Sequence, residues 1–216
     1  MSVSWGDHLV FGEGDGKLDT PELLDSAMSR WKENLDAGTI LWRENRSRQD
    51  DYVFAAEGYE YAAKVHKNLP DFDDFEISVS LAHNHGLKNY LYVTLNDHGW
   101  PLPDKNTRKT SFHNEWHAKD ISFQTRFSHD NPKYVLEDRI GNKQWGVRCL
   151  AYPEVRQYLQ NQYLELLQDY NFDGLFVCMR SQSKPSDFAD QFGFNEPIVE
   201  EFKSKFGKNI LEDDFD

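Results

Sequence analysis

Phe172-Asp-Gly-Leu-Phe-Val-Cys-Met-Arg-Ser-Gln182 holds a turn, an apolar run and a polar tip in one short stretch. Asp173-Gly174 reads as the turn. Leu175 to Met179 are apolar without alternation, which suits a strand covered on both faces, as in parallel sheets. The run stops at Arg180, Ser181 and Gln182. A buried strand that ends this way carries its polar groups at the carboxyl end, where parallel α/β folds bind ligands. The rest of the chain is therefore expected to supply neighbouring strands with similar ends.

A chain of 216 residues fits one domain with a sizeable core. Six Trp, ten Tyr and fifteen Phe accompany a low mean hydropathy of −0.77, a pairing that suits aromatic walls around a polyol ligand as well as simple core filling. The formal charge of −13 disfavours nucleic acid and anionic membrane surfaces as partners. Cys149 and Cys178 are the two cysteines, which gives no disulfide framework and no CxxC metal motif. The first residues lack the basic and apolar regions of a signal peptide, so a cytoplasmic location is the expectation.

Working outward, His8 to Phe11 reads as a first strand, followed by a Gly-rich turn that carries Glu13. That turn lacks the spacing of a P-loop or an EF-hand. Thr20-Pro21-Glu22 opens a helix with face Leu24, Ala27, Met28, Trp31 and Leu35, closed by Gly38. Thr39 to Trp42 is the second strand, ending in Arg43 and Glu44. Residues 51–69 read as a helix without clear bounds. Asp71 to Asp74 caps the next helix, with Phe72, Phe75, Val79 and Ala82 on one face and His83 and His85 near its end. Tyr90 to Leu95 alternate as the third strand, followed by Asn96, Asp97, His98 and Trp100.

Residues 101–146 read as a long polar insertion of the kind that usually has a function. Pro153-Glu154 begins a strong helix with Val155, Leu159, Tyr163, Leu166 and Tyr170 on one side, which feeds the strand at 175–179. Asn195-Glu196-Pro197 caps a final helix bearing Ile198, Phe202 and Phe206. The predicted fold is α/β, made of parallel (βα) units of a TIM-type barrel, about four of eight being present. Residues 1–216 are expected to form one barrel domain, incomplete at its C-terminus.

If the strands are parallel, their ends converge and define a polar pocket. Glycoside cleavage needs two carboxylates flanking the bond, and Glu44 and Asp97 are the candidates. Arg43 or Arg180 would keep one of them ionised, and burial against Trp42 would raise the other. Trp42, Arg43, Asn96, His98, Trp100, Arg180 and Gln182 are the expected substrate contacts. His113-Asn-Glu-Trp-His117 is not HExxH and, with His98 or His129, gives only a partial zinc set, so neither metal nor cofactor is expected. Asn195-Glu196-Pro197 matches a tripeptide of barrel glycosidases but sits before a helix, where capping explains it.

Tyr152-Pro-Glu-Val-Arg156, Tyr170-Asn-Phe-Asp-Gly-Leu-Phe176, Phe192-Gly-Phe-Asn195 and Phe206-Gly207 together resemble the glycosyl-hydrolase-like (βα)8-barrel proteins, family 10 glycosylhydrolase-like, in their N-terminal half. The resemblance is strongest over residues 150–207. It implies a barrel glycosidase fold and a carbohydrate ligand, with a second catalytic carboxylate often carried by later strands. The chain departs from that pattern at Cys178-Met179-Arg180, where an acidic residue is common. Two other readings stay open: a carbohydrate-binding or remnant barrel segment without catalysis, and a metal-dependent hydrolase using the His-rich loop. Open half-barrel edges make homo-oligomerisation an expectation as well.

Overall fold

The computed structural model describes residues 1–43, 52–54, 61–96, 98–99, 123–181 and 192–212. The elements in chain order are β1 (Ser2–Val3), α1 (Trp5–Phe11), α2 (Pro21–Leu35), β2 (Thr39–Arg43), β3 (Tyr52–Phe54), α3 (Tyr61–Asn68), α4 (Asp74–Asn84), β4 (Lys88–Asn96), β5 (Phe123–Thr125), α5 (Arg126–Asp130), β6 (Val135–Glu137), β7 (Lys143–Arg148), α6 (Pro153–Asp169), β8 (Gly174–Ser181) and α7 (Glu196–Phe206). They divide into two compact units.

The first unit takes in residues 1–49, 60–94 and 162–179, and holds a parallel four-stranded sheet in the order β1-β2-β4-β8. β2 and β4 run in register from Thr39↔Lys88 to Arg43↔Tyr92. β8 enters beside β4, its Asp173 N–H donating to the Asn89 carbonyl at 2.8 Å. Alternation along β2 and β4 sends Ile40, Trp42, Leu91 and Val93 into one cluster with Leu24, Ala27 and Met28 of α2 and Phe75 and Ala82 of α4. Trp5 packs on Trp42 and Phe72 with ring centroids 6.2 and 5.7 Å apart. Both buried indoles have acceptors: Trp5 Nε1–H donates to the Leu18 carbonyl, and Trp42 Nε1–H to Asp74 Oδ2, each at 2.8 Å.

Several helix ends follow from local chemistry. Thr20 Oγ1 accepts from Leu23 N–H at the start of α2, and Asp73 Oδ1 accepts from the Phe75 and Glu76 N–H groups at the start of α4. α2 stops at Asp36, which adopts the left-handed conformation (φ 47°), rather than at Gly38. His83 and His85, at the end of α4, donate through Nε2–H to Asp173 Oδ2 and Asp25 Oδ1.

Three expectations are corrected. His8 to Phe11 belongs to α1, not to a first strand: Trp5 and Leu9, four residues apart, share a buried helical face. The first strand is instead the short β1, paired with β2. Residues 123–146 of the expected excursion are not aperiodic but contain β5, α5, β6 and the first part of β7. β8 is a strand, but it is not covered on both faces. It ends the strand order among the described residues, and Phe176, Val177 and Met179 are 41%, 41% and 60% exposed.

Gly174 at the start of β8 has a steric reason, since a Cβ there would meet the Tyr90 ring at 2.6 Å. The preceding Asp173 gathers three bonds. Its Oδ2 accepts from the Asn89 N–H (2.7 Å) and from His83 (3.0 Å), and its own N–H binds the Asn89 carbonyl. The Asn89 N–H and the His83 bond hold this carboxyl below its ordinary range.

The second unit takes in residues 50–59, 95–161 and 180–216. β3 pairs antiparallel with β5, and β6 with β7. The hairpin turn is locked by Asp138, whose carboxylate accepts from the Ile140 and Asn142 N–H groups and from the Asn142 amide. β7 is inverted relative to an ordinary amphipathic strand, with Gln144, Gly146 and Arg148 on the buried side.

Trp42→Phe should destabilise the protein by about 2 kcal/mol in urea unfolding, because Asp74 loses a buried donor while the aromatic volume is largely kept. Asp173→Asn tests the β8 anchor. The folded carboxyl lies below its unfolded value, so its stabilisation is complete above the ordinary carboxylate range and fades as pH falls through the lowered one. The stability gap between wild type and variant should therefore be widest near neutral pH and shrink in acid.

Candidate functional site

The carboxyl half of the parallel sheet brings three side chains into a row across neighbouring strands. The Arg43 guanidinium of β2 lies over the Tyr92 ring of β4, 5.9 Å from its centroid. Tyr92 meets Phe176 of β8 edge-to-face at 5.0 Å. Arg43 and Tyr92 are half-buried and Phe176 is exposed, on the sheet face opposite Trp42 and Leu91. Such a row offers aromatic C–H-binding surface beside a fixed cationic donor. The sequence signal lies at the strand tips and does not single out Tyr92 and Phe176, whereas strand register determines which rings stand beside Arg43.

The remaining candidates fall out differently. Trp42 is fully buried, and its indole serves Asp74 rather than offering a face to a ligand. The core role, open from sequence alone, is the one the structure gives it. Asn96 is half-buried at the last position of β4. Arg180 lies in β8. Glu44, Asp97, Trp100 and Gln182 lie outside the described residues, as do His113 and His117. His129 is exposed beside Asp130 at 2.8 Å. Among the described residues, no group of three or more His, Cys, Asp or Glu side chains could hold a metal ion. No described helix is long and apolar enough to cross a membrane.

His98 belongs to the second unit and is buried there, 6% exposed. Its N–H donates to the Gly146 carbonyl of β7, and its carbonyl accepts from Thr125 N–H of β5. Nε2 lies 2.7 Å from the Leu95 carbonyl and so carries the ring proton. Burial first, and then the charge of Arg148, hold this imidazole well below its ordinary pKa, although the Leu95 bond opposes them. Arg148 was not foreseen. Its guanidinium donates to Ser128 Oγ (3.0 Å) and Thr125 Oγ1 (2.7 Å) and lies over the rings of Phe127 and Tyr158. The signal was the alternation Gln144, Gly146, Arg148, legible only once β7 is read as polar on its inner side.

The Asn195-Glu196-Pro197 tripeptide opens α7, but Asn195 makes no side-chain cap bond. Its amide instead donates to the Val135 carbonyl (2.8 Å) and accepts from the Glu137 N–H (3.1 Å), extending the hydrogen bonding of β6. Glu196 is exposed at the first turn. Around this junction, burial pushes the Cys149 thiol and the Tyr152 phenol upward, and Glu137 reinforces both shifts.

No family model matches the chain, and no curated protein matches it. Solved structures do. α-L-fucosidase isoenzyme 2 from Paenibacillus thiaminolyticus aligns at 13% identity and a TM-score of 0.47, over 84% of this chain and 23% of that one. The noncanonic maltogenic α-amylase AmyB from Thermotoga neapolitana aligns at 15% and 0.45, over 93% and 41%. The chain thus spans less than half the length of either. Likenesses this slight assign no activity.

Asn195→Ala should cost about 1–3 kcal/mol in chemical unfolding, since the buried Val135 carbonyl and the half-buried Glu137 N–H each lose their bond to the amide. Glu196→Gln at an exposed position should change stability by no more than about 0.5 kcal/mol.

Proposed function

We propose that the chain is a glycoside-hydrolase-like protein that binds, and with its full complement of carboxylates hydrolyses, a carbohydrate at the carboxyl ends of its parallel strands. The observation that supports this reading is the Arg43–Tyr92–Phe176 row on β2, β4 and β8. A sugar presents C–H faces that pack on aromatic rings and hydroxyls that accept from a guanidinium, and the row offers both groups side by side. The sequence resemblance to the family 10 glycosylhydrolase-like group agrees with it.

In this reading Glu44 and Asp97 are the acid/base candidates, because they directly follow β2 and β4 in the sequence. Glycoside cleavage takes one carboxyl as acid and a second as base or nucleophile. Arg43 would orient the substrate beside the two rings. A carbohydrate-binding module without catalysis would use the same row and lack turnover, so activity measurements separate the two.

Glu44→Gln and Asp97→Asn should each reduce the release of sugar from a glycoside panel by about 10²–10⁴-fold, at unchanged folding by circular dichroism. Unaltered turnover in both variants would remove these carboxylates from the mechanism. Binding without turnover in the parent protein would favour the non-catalytic module.

A further inference from the structure

Helix α7 is amphipathic, with Ile198, Phe202 and Phe206 spaced four residues apart along one stripe and Val199 beside them. An apolar stripe on a helix ordinarily faces a core, yet no residue of α7 is buried. Ile198, Val199 and Phe202 are half-buried, and Phe206 is 63% exposed. The Phe202 and Phe206 rings lie 4.7 Å apart, centroid to centroid, and form one aromatic surface. Asn195 holds the start of the helix to β6, while the far end carries the most exposed ring. Exposed apolar surface of this kind marks a place where another molecule docks.

The charges identify the occupant. Along α7 the acids come first, at Glu196, Glu200 and Glu201, and the bases last, at Lys203 and Lys205, with Lys208 just past Gly207. All are exposed. Acids and bases balance here on a chain of formal charge −13, so two copies can approach along this helix without the repulsion that the overall charge imposes. The order of acid then base is its own complement when reversed. An antiparallel copy sets acids against bases, whereas a parallel copy sets like against like. A two-fold axis near Phe202 brings Ile198 to Phe206 of the second copy and Glu201 to Lys205 of the second copy. Glu201 and Lys205 already pair within one helix at 2.5 Å, which prearranges them on the flank of the stripe.

We propose that α7 is a self-association surface on which a second copy of this chain packs antiparallel. The apolar stripes meet in one seam, flanked by Glu201 and Lys205 of opposite copies. This surface is independent of the carbohydrate reading. An eleven-residue helix gives a seam of only about 16 Å, so the dimer is weak and concentration-dependent.

The full chain is followed by sedimentation velocity from about 5 to 500 μM. The expected result is a monomer–dimer equilibrium that Phe206→Ser weakens about tenfold. Glu201→Lys and Lys205→Glu, both at exposed positions, should each weaken self-association about five- to tenfold, because each sets like charges across the seam twice. An equimolar mixture of the two variants should dimerise again, since the basic flank of one meets the acidic flank of the other. Loss of the charge pair inside a single helix would not be repaired by mixing. If Phe206→Ser does not fold by circular dichroism, the mixing experiment decides the matter. A wild-type chain that stays monomeric at the highest concentration would overturn the proposal. So would a dimer that Phe206→Ser leaves unchanged, or one whose charge variants are not rescued by mixing.

Discussion

The buried hydrogen bond from the Trp42 indole to the Asp74 carboxylate is the constraint around which the first unit is arranged. It joins the second position from the end of β2 to the first turn of α4, inside a cluster that also takes side chains from α1, α2 and β4. Burying a carboxylate there is costly unless it is bonded, so strand and helix are tied by direction as well as by apolar contact. With Trp42 fixed on the core face, alternation sends Arg43 to the opposite face, where it meets Tyr92. The candidate ligand surface is in this sense a by-product of core packing.

Asp173 does for β8 what Asp74 does for β2. It stands at the turn that launches the strand and binds the backbone of Asn89, while Tyr170 just upstream donates to Asp73 at the start of α4. Because Gly174 must clear the Tyr90 ring, the register of β8 against β4 is set at its first residue, and Phe176 then falls beside Tyr92. The alignment of the row therefore depends on chemistry at the opposite end of the sheet.

Much of this was legible in the sequence. α2, α6 and β4 carry strong periodicity, α2 also carries its Thr20 cap, and the Asp173-Gly174 turn announces its strand. The failures have physical reasons. The apolar run His8 to Phe11 reads as a strand because the burial of α1 repeats from Trp5 to Leu9, beyond that run. The β6–β7 hairpin is hard to read although Gly141-Asn142 stands in its turn, because β7 buries Gln144 and Arg148 in place of an apolar face. β8 looked doubly covered because an apolar run reports side-chain type, not what lies beside the strand. As for the site, Arg43 and Asn96 were found at strand ends, but Tyr92, Phe176 and Arg148 depend on register and on a polar interior that composition does not announce.

The inverted polarity of β7 has a thermal consequence. Apolar surface dominates the described core of the first unit, and burial of such surface carries a large heat-capacity change and weakens on cooling. The interior beside β7 is held by hydroxyl, amide and guanidinium bonds, whose exposure on unfolding changes heat capacity in the opposite sense. The two units thus draw on cohesive forces with different temperature dependence. Cooling therefore weakens the apolar contribution more than that of the Arg148 hydrogen bonds.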